Sequence, residues 1–137
     1  MPPFDPVEFC KAAHKVSVVK QALDGEVAWR TATTRAYYAV WVATRDAIRA
    51  KQGDPNLDPG HKPLWDKLKE PANTSEIQEL GEDGAVLMKW RHVSDYDMGV
   101  PVTEDVAKKR AAQCHAFLKS LQRLQDALPV VQHYAHR

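Results

Sequence analysis

The segment Lys89-Trp90-Arg91-His92-Val93-Ser94-Asp95-Tyr96-Asp97 concentrates side chains able to act on a phosphate. Arginine stabilises the charge of a phosphoryl transition state, and histidine is the acid–base side chain near neutral pH. Read as helix, Arg91 and Asp95 stand four residues apart, as do His92 and Tyr96, so each pair shares a face. That spacing equally suits an Arg91–Asp95 ion pair beside a stabilised His92. A second group, Arg35, Tyr38, Val42, Arg45 and Arg49, falls within a narrow arc of a helix at ~100° per residue. Arginine forks with an interleaved aromatic suit phosphate contact and base stacking. The alternative is a solvated face paired with neighbouring helices.

Other chemistries have little support. There is no GxxxxGK[ST] loop, no GxGxxG and no HExxH. Gly81-Glu82-Asp83-Gly84 carries two acids that would repel phosphate. Cys10 and Cys114 are far apart and belong to no CxxC pair, so two reduced, buried thiols are expected. His133 and His136 are spaced as a metal pair could be, but on a terminal tail. No metal and no cofactor is therefore expected. With 19 Lys+Arg against 18 Asp+Glu, the net charge of +1 excludes a generally basic nucleic-acid binder and leaves only a local patch.

These residues need helices to position them. Of 137 residues, 18 are alanine, a bias toward helix. Asp5-Pro6-Val7-Glu8 opens a first helix ending near Gly25. A second spans about Glu26 to Lys51 without glycine or proline. Its Ala28, Ala32, Ala36, Ala39, Ala43, Ala47 and Ala50 form one stripe, a close helix–helix contact within or between chains, while Tyr37, Trp41 and Ile48 lie on another side. A Gly/Pro-rich loop from Gly53 to Gly60 leads to a short helix over Lys62 to Lys69, stopped by Pro71. Ser75-Glu76-Ile77-Gln78 reads as a capping box for a helix reaching about Met98, with Gly81 and Gly84 expected to kink or loosen its first half. Thr103 caps the last helix, whose Ala107, Ala111, Cys114, Leu118, Leu121 and Leu128 stay apolar. The expected architecture is all-α: a bundle of four main helices plus one short helix, a single domain over residues 1–128, with 129–137 as a flexible tail. No apolar run suits a membrane span or a secretory signal, which points to a cytoplasmic protein.

Arg30-Thr31-Ala32-Thr33-Thr34-Arg35-Ala36-Tyr37-Tyr38-Ala39-Val40-Trp41 resembles the long-helix signature of the HEPN superfamily of small helical domains. His61-Lys62 is similar to the point where a histidine often opens that family's next helix. Arg91 through Asp97 resembles its later "R…ADYD" segment. The resemblance runs from about residue 5 to 128. It implies a helical bundle that dimerises and, in many members, a metal-independent RNase. There an arginine would hold the scissile phosphate, and a histidine after four to six intervening residues would assist attack by the ribose 2′-hydroxyl. Arg91 and the following polar His92 match. The positions for the second histidine hold Tyr96, Asp97 and Met98.

The expected function is thus an RNA-associated HEPN-type protein, an endoribonuclease of a toxin–antitoxin or defence system. Arg91, His92, Asp95, Tyr96 and Asp97 are its candidate catalytic residues, and Arg35, Tyr38, Arg45 and Arg49 its RNA- or phosphate-binding residues. Its expected partners are a second copy of the chain, RNA and a small nucleotidyltransferase antitoxin, with no membrane. The alternative is a non-catalytic HEPN dimer module that binds nucleotide, RNA or protein. A plainer reading is a helical assembly subunit whose alanine stripe is its function.

Overall fold

The computed structural model describes residues 25–134, and these form a helical bundle with no strand. The expected first helix, Cys10 and His136 lie outside the described residues. Helix α1 spans Gly25–Gln52, α2 His61–Leu68, α3 Ser75–Tyr96 and α4 Glu104–Leu124, followed by a 3-10 turn over Gln125–Ala127. Helix α1 is the longest, at 28 residues, and packs against both α3 and α4. No helix among the described residues is long and apolar enough to cross a membrane.

The buried arc of α1 is wide. It joins Ala36 and Ala39 to Tyr37, Val40, Trp41 and Ile48 in a core with Leu64, Trp65 and Leu68 of α2, Leu87 of α3, and Phe117 and Leu121 of α4, while Ala32 packs in a second cluster with Trp29, Val102 and Ala107. Ala36 and Ala39 are fully buried within this protomer, and Ala43 and Ala47 pack at its margin. The stripe thus works mainly inside the chain, and Ala50 at its end is exposed. Thr33 and Thr44, in the middle of the buried arc, satisfy their hydroxyls on the carbonyls of Trp29 and Val40 one turn back.

Helix ends follow local chemistry. Gly53, at φ 66°, closes α1 in a Schellman arrangement, with Gly53 N donating to Ala50 O and Asp54 N to Arg49 O. Thr103 caps α4 by accepting from Val106 N. The cap of α3 is Thr74, one residue before the expected Ser75. Its hydroxyl accepts from Ile77 N, while Gln78 reaches back to the Asn73 carbonyl.

Gly81 and Gly84 do not interrupt α3, which is one continuous helix. Both are buried. A Cβ on Gly81 would meet Leu68 and Lys69, and one on Gly84 would overlap the Trp65 ring. The glycines admit α2 to close contact, which offsets their entropic cost in a helix.

The tail also departs from expectation. Leu128 and Val131 are buried in the core. Lys51 donates to the carbonyls of Asp126 and Leu128. The Gln52 side chain donates to Val131 O and accepts from Val131 N. Beyond, Asp58 N donates to His133 Nδ1 and Tyr134 N to Asp58 O. Residues 129–134 therefore strap the end of α1 to the loop before α2, and His133 is engaged by backbone. Among the described residues no cluster of His, Cys, Asp or Glu could hold a metal ion.

A candidate phosphate-binding site between three helices

Arg91 is half-buried on α3 and faces α1. Its Nη2 donates to the Tyr38 hydroxyl at 2.8 Å, and its Cζ sits 5.3 Å from the Tyr38 ring centroid and 5.5 Å from that of Tyr96. The guanidinium is thus flanked by two tyrosine rings, a cation–π setting. Its Nε lies 3.0 Å from Asp95 Oδ2, an ion-pair distance without hydrogen-bond alignment. Asp95 is held in turn by the Thr34 hydroxyl, which donates to Oδ1 at 2.7 Å. Arg91 Nη1 has no hydrogen-bond partner among the described residues.

The histidine beside this cluster is His61, the first residue of α2. Its ring stacks on Trp41 with centroids 3.9 Å apart and planes 18° apart. It meets the Tyr38 ring edge-on at 6.3 Å. The Tyr37 hydroxyl lies 2.5 Å from His61 Nδ1 and accepts from Trp65 Nε1 at 3.3 Å. Burial of the ring against these aromatics lowers the His61 pKa below the ordinary imidazole value. The positive charge of Arg91 and, less strongly, that of Arg45 lower it further, against an opposing effect of Asp58. His61 is therefore a neutral imidazole near neutral pH. Burial pushes the Tyr37 phenol well above the ordinary tyrosine range, so it stays protonated.

The sequence-predicted residues divide. Arg91, Tyr38 and Asp95 meet directly, and Arg45 stands within electrostatic reach of His61, one turn beyond Trp41. Arg45 also pairs with Asp46 at 3.1 Å and remains partly exposed. His92 and Tyr96 pair on the exposed side of α3, with ring centroids 5.0 Å apart. Tyr96 is 64% exposed, so one of the rings beside Arg91 is open to solvent.

Arg49 is used differently. Its Nε donates to the Leu57 carbonyl at 2.7 Å, pinning the loop that leads to His61. Asp97 caps α3: its backbone N donates to Val93 O, its carbonyl accepts from Arg30, and its carboxylate accepts from Gly99 N. Arg35 is exposed, with no contact joining it to the cluster.

Two positioning groups were not legible as such. Arg30 is buried, with only 7% of its side chain exposed. It pairs with Glu26 and donates to the carbonyls of Val93, Ser94, Asp97 and Val100. Its charge meets the carbonyl end of α3, where a cation is favoured, and it fixes the end of the helix that carries Arg91. The second group is the Tyr37–His61 pair, with Tyr37 reading only as core. The available signal was the spacing of Tyr38, Trp41 and Arg45 on successive turns of α1, with a histidine directly after Pro59-Gly60.

Together the described residues offer a guanidinium with one nitrogen unpartnered among them, a second arginine nearby, a neutral imidazole and an exposed aromatic ring. This set suits a phosphodiester with an adjacent base. Neither protein-family models, curated proteins nor solved structures contain a match to this chain.

Proposed function

We propose that this chain is an RNA-associated, HEPN-type protein that binds an RNA phosphate between α1, α2 and α3 and acts there as a metal-independent endoribonuclease. The supporting observation is that His61 lies against Tyr38, the residue that hydrogen-bonds Arg91. A histidine absent downstream of Arg91 is thereby supplied from another helix, as a phosphate-binding group and not as a proton acceptor. In this reading Arg91 holds the phosphate and Arg45 adds positive potential. Tyr96 offers a stacking face, and His92 and Asp95 supply proton-accepting groups on the same helix. A second copy of the chain, and a small nucleotidyltransferase antitoxin in a cytoplasmic toxin–antitoxin or defence system, are the partners this proposal carries.

The test is incubation of purified protein with single-stranded RNA in the presence of a chelator. Cleavage by wild type and its loss in Arg91→Ala support the reading. Equal cleavage by both proteins overturns it.

The Arg91–Asp95 contact favours a second reading. A carboxylate 3.0 Å from the guanidinium offsets its charge, as expected for a non-catalytic module that binds nucleotide, RNA or protein. RNA binding without turnover, weakened by charge reversal at Arg45, would favour this reading over cleavage.

A further inference from the structure

The hydrogen-bond inventory around Tyr37 decides which edge of His61 carries its proton. An indole N–H only donates, so the Tyr37 oxygen accepts from Trp65 Nε1. The phenol has one proton of its own. The acceptor within reach of that proton among the described residues is His61 Nδ1, at 2.5 Å. If Nδ1 accepts, a neutral imidazole holds its hydrogen on Nε2. The reverse arrangement, with Nδ1–H donating to Tyr37, would strand the phenol proton in the core, because Tyr37 is fully buried. Trp41, stacked on the ring, holds its plane. The opposite edge, at Nε2, has no hydrogen-bond partner among the described residues, and His61 is exposed as a residue.

We propose that Tyr37 is a positioning residue that fixes His61 in the Nε2–H form, so that His61 meets RNA as a neutral hydrogen-bond donor to a non-bridging phosphate oxygen. The ligand in this statement rests on the RNA reading above; the tautomer does not. No bond is made or broken in this role. His61 adds a directed donor beside the Arg91 charge, and the proton of an attacking 2′-hydroxyl must go elsewhere. Tyr37, Trp65 and the close approach allowed by Gly84 thus become one train of contacts ending in a single oriented N–H.

The experiment uses the full chain, labelled with nitrogen-15, and records long-range proton–nitrogen correlations of the His61 ring above neutral pH. The expected spectrum shows an unprotonated Nδ1 and a protonated Nε2, and in Tyr37→Phe a mixture of the two neutral forms. Protonated Nδ1 in wild type, or an unchanged pattern in a folded Tyr37→Phe, overturns the assignment. Binding is then read with a 2′-O-methyl oligoribonucleotide, which lacks the nucleophile and cannot be cleaved. His61→Gln keeps an amide N–H donor and should bind within about twofold of wild type, whereas His61→Ala should lose about tenfold, the scale of one hydrogen bond to a charged group. Equal losses in the Gln and Ala variants overturn the donor role. If wild type binds no oligonucleotide, the RNA reading and the donor role both fall, while the spectrum still decides the tautomer. The wild-type spectrum and the His61 variants keep the proposal falsifiable should Tyr37→Phe fail to fold.

Discussion

The indole of Trp65 lies where a side chain at residue 84 would begin, so that a Cβ on Gly84 would overlap its six-membered ring. This contact reaches the site, because Trp65 is fully buried and donates to Tyr37, which lies against His61. Gly84→Ala should therefore destabilise the fold by ~1–3 kcal/mol, the usual cost of overpacking a well-filled core. Urea unfolding should show a lower midpoint at unchanged slope. An unchanged midpoint would mean that α2 and α3 can separate freely.

Arg30 should matter more than any surface arginine. Arg30→Met keeps much of the side-chain length but leaves Glu26 unpaired and removes a donor from four carbonyls. Glu26 is itself exposed, so the expected loss is about 1–3 kcal/mol, the scale of leaving a buried carbonyl without its donor. Amide hydrogen exchange should show faster opening over residues 93–100 before the rest of the bundle. Uniform exchange across the chain would argue against a local clamp.

Ala39 tests where the alanine stripe acts. It is fully buried within the protomer, so Ala39→Leu should cost ~1–3 kcal/mol through overpacking. Sedimentation of the variant should match that of wild type, whatever the oligomeric state. A shift in oligomeric state at unchanged stability would place the stripe between chains instead.

The pH dependence follows from His61. Its pKa in the folded protein is lowered, first by burial and then by Arg91. Between that lowered value and the ordinary imidazole value of about 6.5, the unfolded chain binds the proton more readily than the folded one. Stability from this group is thus full above the unfolded value and is lost as pH falls through the folded value. An NMR titration should place the His61 midpoint below that of an ordinary histidine, and Arg45→Ala should move it upward by removing a positive charge. A midpoint unmoved in Arg45→Ala would separate Arg45 from the site.

Arg45 and Arg49 should part company although both lie on one arc of α1. Arg45→Glu should weaken binding of single-stranded RNA with little effect on the unfolding midpoint, because its Asp46 pair is exposed and such pairs contribute little. Arg49→Glu should lower the midpoint, because it frees the Leu57 carbonyl and the loop before His61. Matching effects of the two substitutions on RNA binding would restore Arg49 to the phosphate-binding set.

Among the described residues, the sequence by itself determined the helices, their approximate ends and most of the core. Residue periodicity, N-cap hydroxyls and glycine or proline breaks act within a few positions of one another and can be read along the chain. Thr103 capped α4 as expected, and Ala107, Ala111, Cys114, Leu118 and Leu121 of its expected apolar face are buried. It also marked Arg91, Asp95 and Tyr38, because spacings of three and four residues place side chains on a common face. Only the tertiary structure decided which faces meet. The Tyr37–His61 contact joins residues 24 apart and the Arg91–Tyr38 bond residues 53 apart, separations with no fixed geometry until the helices pack. Gly81 and Gly84 read locally as weak points of α3, since glycine lowers helix propensity. Packing makes them the places where α2 comes close. Packing also commits Arg49 to the loop carbonyl it reaches and leaves Arg45 near His61, a distinction that their shared residue type and shared helical arc could not make.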